Sequence, residues 1–162
     1  MSLVLVAGVS CASDNALGPS EPKQSLLPSA SLSGAENLRL LSCSAQPHVA
    51  VTEVVGPMGG TIVVGSHKLV IPAGALTRNH TIRAEQVTGR VNSVRFAPEG
   101  LKFEGSARLT LSYANCSPLL LKRVVYTDEL LRVLELIPSI DDLRTKAVTG
   151  DIRHFSRYAV AW

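Results

Sequence analysis

From Val49 to the end of the chain, short runs rich in Val, Ile, Thr and Leu are cut off again and again by Gly, Pro or Asn. Stops recurring about every ten residues leave no room for helices of ordinary length, but they suit strands of four to eight residues joined by tight turns. Val49 to Val55 alternates and halts at Gly56-Pro57-Met58-Gly59-Gly60; Thr61 to Val64 runs to a Gly65-Ser66 turn; Lys68 to Ile71 leads into Pro72. Thr81 to Val87, Asn92 to Phe96 after a Thr88-Gly89-Arg90 turn, Leu101 to Phe103, and Arg108 to Tyr113 continue the pattern. Strands at this spacing predict an all-β fold, an antiparallel β-sandwich, in which alternate side chains of each strand meet in the core. Ile62, Leu69, Ile71, Leu76, Ile82, Phe96, Leu109, Leu111, Val160 and Trp162 are the expected core.

One stretch admits two readings. Thr127 to Ile137 could form a helix capped by Thr127, with Leu130, Leu131, Leu134 and Ile137 on one face. It could equally be a hairpin, with Lys122 to Tyr126 going out, Asp128-Glu129 turning and Val133 to Ile137 returning, and this reading keeps the all-β plan. The final stretch, Ala147 to Trp162, reads as β to its last residue. A period of two puts His154, Ser156, Tyr158, Val160 and Trp162 on one face and Phe155, Arg157, Ala159 and Ala161 on the other.

Ahead of the sandwich the composition changes. Residues 1–11 (MSLVLVAGVSC) form an apolar run too short to span a bilayer but close to the core of an export signal, and Val9-Ser10-Cys11 fits a bacterial lipoprotein cleavage box. No Lys or Arg precedes Cys11, so an export signal here implies a start upstream, and Gly8 stands where the box usually has Leu. Lipidation at Cys11, simple secretion and a cytosolic protein with an apolar N-terminus all remain open. Residues 12–37 are dense in Ser, Pro and Gly and have no sustained period, the composition of a flexible linker. Residues 38–162 then form the sandwich.

Cysteine arithmetic bears on the compartment. The chain has 3 Cys, and if Cys11 is lipidated or removed, Cys43 and Cys116 are left as an even pair near expected strand ends. In an exported protein they should be oxidised to a disulfide; in a reducing compartment they would be two buried thiols. There is no Cys-x-x-Cys, and His48, His67, His80 and His154 lack partners at ligand spacing, so no metal or other cofactor is expected and the histidines read as solvent or turn residues. A net charge of +3 from 16 basic and 13 acidic residues makes no basic stripe, which argues against nucleic acid. Asp141-Asp142 are adjacent, so they point to opposite sides of an extended chain and make a poor catalytic pair; with Ser139 they read as a turn.

Several of these segments together resemble the ZU-five domain, the β-sandwich module of zonula occludens proteins, netrin receptors and ankyrins. The resemblance is carried by Gly56-Pro57-Met58-Gly59-Gly60-Thr61, Leu69-Val70-Ile71-Pro72-Ala73-Gly74-Ala75-Leu76, Phe96-Ala97-Pro98-Glu99-Gly100-Leu101-Lys102-Phe103 and Ala107 to Tyr113. His154-Phe155-Ser156-Arg157-Tyr158-Ala159-Val160 is similar to the end of this module in exported bacterial proteins. The resemblance implies a non-enzymatic interaction or structural module of the cell envelope, with a protein or envelope partner and a membrane link only through a lipid at Cys11. It also implies a rival. In some members His-Phe-Ser is a self-cleavage site at which the serine hydroxyl attacks the preceding carbonyl, here between Phe155 and Ser156, with His154 as the expected base. The plainer reading is a buried strand in which His154, Phe155 and Ser156 only pack.

Overall fold

Chain alternation and frequent stops are realised, among the described residues, as thirteen strands: β1 (Ser42–Gln46), β2 (Val49–Val55), β3 (Gly60–Val64), β4 (His67–Ile71), β5 (His80–Gln86), β6 (Gly89–Val91), β7 (Ser93–Ala97), β8 (Lys102–Ser112), β9 (Arg123–Thr127), β10 (Val133–Ile137), β11 (Ser139–Asp142), β12 (Ala147–His154) and β13 (Arg157–Ala161). The structure is a computed structural model that describes residues 38–117 and 120–162. Readings made on residues 1–37, lipidation of Cys11 and the linker among them, lie outside the described residues.

The described strands form an antiparallel β-sandwich. A six-stranded sheet in the order β10-β9-β13-β7-β5-β2 packs against a five-stranded sheet in the order β11-β12-β8-β4-β3, while β1 and β6 pair as a short ribbon. All pairings are antiparallel. The period of two sorts the side chains: Ile62, Leu69, Ile71, Leu109, Leu111, Val148 and Ile152 point inward from one sheet, and meet Ile82, Ala84, Val94, Phe96, Val124, Tyr158 and Val160 from the other. Residues 127–137 are the hairpin β9–β10 and not a helix. Its turn is longer than two residues, because Asp128 Oδ1 accepts the N–H groups of Leu130 and Arg132 and Leu131 takes a positive φ of 62°.

The two Gly/Pro boxes touch. Gly59 has φ 72°, and a Cβ there would lie 2.4 Å from Ile71 O, so only glycine lets the turn before β3 close on the box after β4. The Gly74 N–H donates to Pro57 O (2.8 Å) across the same contact.

Several expectations need correction. Leu101 to Phe103 and Arg108 to Tyr113 are not separate strands: β8 runs through both, with an irregularity between its pairings of Ala107 and Lys102 that lets Gly105 adopt φ 107°. Thr88-Gly89-Arg90 is no plain turn, since Gly89 and Arg90 belong to β6, which pairs with β1. Ser139 to Asp142 is the edge strand β11, and the turn follows it. Of the expected core, nine residues are buried, but Trp162 is 40% exposed, because it lies beyond the last strand, on the rim.

Cys43 and Cys116 form a disulfide with Cα atoms 4.6 Å apart. Cys43 lies within β1 rather than at a strand end, and Cys116 lies in the turn after β8. The bond anchors the strap at residues 38–46, which also pairs with the last strand: Leu40 bridges Ala161, and Leu41 N–H donates to Val160 O (2.9 Å). Closing a loop with a sequence separation of 73 restricts the unfolded chain, which in the chain-entropy model is worth about 4 kcal/mol. Cys43→Ser/Cys116→Ser is therefore expected to lose about 2 to 4 kcal/mol in urea unfolding. Dithiothreitol should shift the wild-type curve and leave the double variant unmoved; equal stabilities of the two proteins would show that the strap is held without the bond.

Candidate functional site

The last sixteen residues do not form one strand. β12 belongs to the five-stranded sheet, β13 to the six-stranded sheet, and Phe155-Ser156 is the crossing between them. His154 and Ser156 therefore do not share a face of one strand: the alternation that would have aligned them ends where the chain changes sheets. β13 is buried on both faces, which is why Arg157, Tyr158, Ala159, Val160 and Ala161 show no in-and-out pattern.

The crossing is held by the Pro98-Glu99-Gly100 turn, itself the passage from β7 to β8. Phe155 N–H donates to Leu101 O (2.8 Å), Gly100 N–H donates to Phe155 O (2.9 Å), and Phe96 N–H donates to Ser156 O (3.1 Å). Gly100 sits at φ 76° with nothing near a hypothetical Cβ, so it is the backbone conformation, not space, that calls for glycine. The Phe155 ring is fully buried, stacked on Phe96 at 5.2 Å and edge-on to Phe103 at 5.1 Å. Ser156 beside it is 4% exposed.

His154 is half-buried at the end of β12. Its Nδ1 lies 3.4 Å from Phe155 O, the oxygen that Gly100 holds, and in the Nδ1–H tautomer the ring donates to it in a long hydrogen bond. The imidazole packs edge-on against Tyr126 at 5.1 Å, and Tyr158 Oη donates to His154 O (2.7 Å). Burial first, then the charge of Glu135, pushes the Tyr158 phenol upward, so it remains a donor. A cavity of about 490 Å³, lined by Glu135, Asp151, Arg153, His154 and Tyr158 among others, opens on the His154 side of the crossing.

Thus the three residues singled out in the sequence are brought together, but around the Phe155 carbonyl. Gly100, Leu101 and Tyr126, which complete the site, were out of reach of local reading. The Pro98-Glu99-Gly100 turn was visible, but not what its amides hold some fifty-five residues further on.

The other candidates behave differently. Asp141 and Asp142 diverge: Asp141 Oδ1 accepts the Tyr113 hydroxyl and Oδ2 the Lys122 N–H, while Asp142 Oδ1 caps the turn through Arg144 and Thr145. Among the described residues no three His, Cys, Asp or Glu side chains cluster as metal ligands would. His67 is not the solvent or turn residue expected. It is 1% exposed in the core, where Nδ1 accepts the Ser112 N–H (3.1 Å) and Nε2 has no partner.

No protein-family model and no curated protein matches this chain.

Burial holds the His67 imidazole neutral and lowers its pKa from 6.5 to about 4. Below 6.5 the unfolded histidine takes up a proton that the folded one refuses, so stability is lost as pH falls from 6.5 toward 4. From pH 7 to pH 5 this site alone is expected to cost on the order of 2 kcal/mol. Urea unfolding at the two pH values checks it: His67→Phe should flatten the dependence, and an unchanged slope would mean the imidazole is protonated in place.

Proposed function

We propose that residues 38–162 are a ZU-five-like β-sandwich acting as a non-enzymatic interaction or structural module of a bacterial cell envelope. The family likeness is supported by the contact between the Gly56 to Thr61 box and the Pro72 to Gly74 box, which gives both a shared structural reason. Export is supported by the Cys43–Cys116 disulfide, since such bonds persist in oxidising compartments. The reading of Cys11 as a lipid anchor belongs to the same proposal.

The observation that carries the module reading is the β10–β11 margin. β10 ends the six-stranded sheet and β11 the five-stranded one, and the two follow each other through Pro138, so both open edges lie on one side of the sandwich. Along them Leu134, Leu136 and Ile140 are exposed, Ile140 to 80%, as is Leu143 in the turn after β11. Open strand edges with apolar side chains are what monomers avoid and interaction surfaces use. Leu134→Lys/Ile140→Lys should leave unfolding within about 1 kcal/mol of wild type. It should lose binding to envelope preparations of the source organism that the wild-type chain shows. Undiminished binding by the variant would remove this margin as the surface.

A second reading, self-cleavage between Phe155 and Ser156, is favoured by one specific observation: the carbonyl that the serine would attack is already held by an N–H and faced by an imidazole. A cut would leave a fragment of seven residues, Ser156 to Trp162, seated in the sheet. Mass spectrometry under denaturing conditions is expected to show its loss from wild type and not from Ser156→Ala. A wild-type chain that keeps its full mass after days at neutral pH, with or without hydroxylamine to open an ester, would end this reading.

A further inference from the structure

We propose that the Gly100 N–H and the His154 Nδ1–H together form an oxyanion site for the Phe155 carbonyl, so that His154 acts on the oxygen of the bond and not as the base for Ser156. This rests on the self-cleavage reading and assigns the parts within it.

The geometry separates two roles that the sequence could not. A general base for Ser156 must reach its Oγ proton, and the imidazole instead turns to Phe155 O at 3.4 Å. Gly100 approaches the same oxygen at 2.9 Å from the neighbouring turn. Two N–H donors converging on one carbonyl oxygen, one backbone and one side chain, form the arrangement that stabilises the negative charge of a tetrahedral intermediate. The long His154 contact is to the ground-state oxygen. Addition to the carbonyl moves this atom and loads it with charge, and the donor bonds tighten then. Phe155 is fully buried and Ser156 nearly so, and this dry side of the carbonyl strengthens the Gly100 bond.

Tyr158 and Tyr126 are positioning residues. The Tyr158 hydroxyl fixes the His154 carbonyl at 2.7 Å, and the Tyr126 ring limits the imidazole from the side. With the backbone and ring so held, Nδ1 is the ring nitrogen presented to Phe155 O, and the cavity beside His154 admits water.

The step balances without a cofactor. Ser156 Oγ bonds to the Phe155 carbonyl carbon, the electron pair of the C=O rests on the oxygen between the two donors and then returns, and the C–N bond breaks. The Oγ proton ends on the freed Ser156 amine. One water then adds to the ester, giving the Phe155 carboxylate, a proton and the restored Ser156 hydroxyl.

Isosteric amides test the assignment in the full chain. Asn places its Nδ2 donor where imidazole Nδ1 stands, Gln places a donor nearer the Nε2 position, and neither accepts a proton near neutrality. His154→Asn should cleave within about tenfold of wild type, while His154→Ala and His154→Gln fall about 100-fold, the effect of removing one oxyanion donor. Gly100→Ala, forced to strain φ, displaces the other donor and should slow cleavage by at least tenfold with His154 intact; this arm decides the matter if His154→Asn does not fold. Cleavage is read by denaturing mass spectrometry with and without hydroxylamine, and folding by thermal melts. If wild type cleaves and Asn is as slow as Ala, or Gly100→Ala cleaves at the wild-type rate, the oxyanion assignment falls and self-cleavage stands with His154 in another role. If wild type never cleaves, both fall.

Discussion

Two chain crossings pressed side by side hold the sandwich together. The chain passes from the six-stranded to the five-stranded sheet through Pro98, Glu99 and Gly100, and returns in the other direction through Phe155 and Ser156. These passages hydrogen-bond to each other through Gly100, Leu101 and Phe96, and the Phe155 ring fills the space between Phe96 of one sheet and Phe103 of the other. Truncating such a side chain removes both its transfer energy and its neighbours' contacts, about 3 to 5 kcal/mol for Phe to Ala. The sheets are thus fixed against each other at the point where the candidate site lies, and the site inherits that rigidity.

Structural and reactive readings of His154, Phe155 and Ser156 therefore use the same contacts. A crossing strand needs its backbone groups satisfied because it leaves both ladders, and the Gly100 amide supplies that need at Phe155 O. The amide that satisfies a ground-state carbonyl also stabilises an oxyanion, and to a greater degree, because the bond to a charged oxygen is stronger than to a neutral one. What distinguishes the readings is the imidazole. A carbonyl already bonded to Gly100 has no structural need of a second donor, yet Nδ1 stands 3.4 Å from it.

Legibility in the sequence followed the range of the interactions. Strands β2 to β5 and β7 were readable from period and punctuation, as was the β9–β10 hairpin as one of two alternatives, because alternate burial and turn chemistry are local. The pairing of Cys43 with Cys116 followed from counting only once Cys11 was set aside and export assumed, the alternative being two reduced thiols. What could not be read were features that need distant neighbours: the break at Phe155, where the β pattern continues in the letters although β13 is buried on both faces; the burial of His67, which looks like a turn residue from its Gly65-Ser66 neighbours; and the exposure of Trp162, apolar but past the last strand. Arg157 is a further case. It is almost fully buried, its guanidinium donating to Glu129 O and Ser93 Oγ, and nothing nearby in sequence signals either partner.

The strap and the disulfide decide what a break at Phe155–Ser156 would do to the fold. β13 pairs with β9 along Arg157 to Ala161 and with β7 along Arg157 to Ala159, and beyond Ser93, the first residue of β7, the strap takes over through Arg39, Leu40 and Leu41. A strand flanked on both sides along its whole length keeps its ladder bonds whether or not its first peptide bond is intact. Tyr158 and Val160, fully buried, add roughly 1.5 to 3 kcal/mol each. The strap is in turn tied at Cys43 to the turn after β8, so it cannot peel away without opening a covalent loop. Chain continuity at Phe155 and retention of β13 are therefore separable, and it is the oxidised strap that makes the second independent of the first.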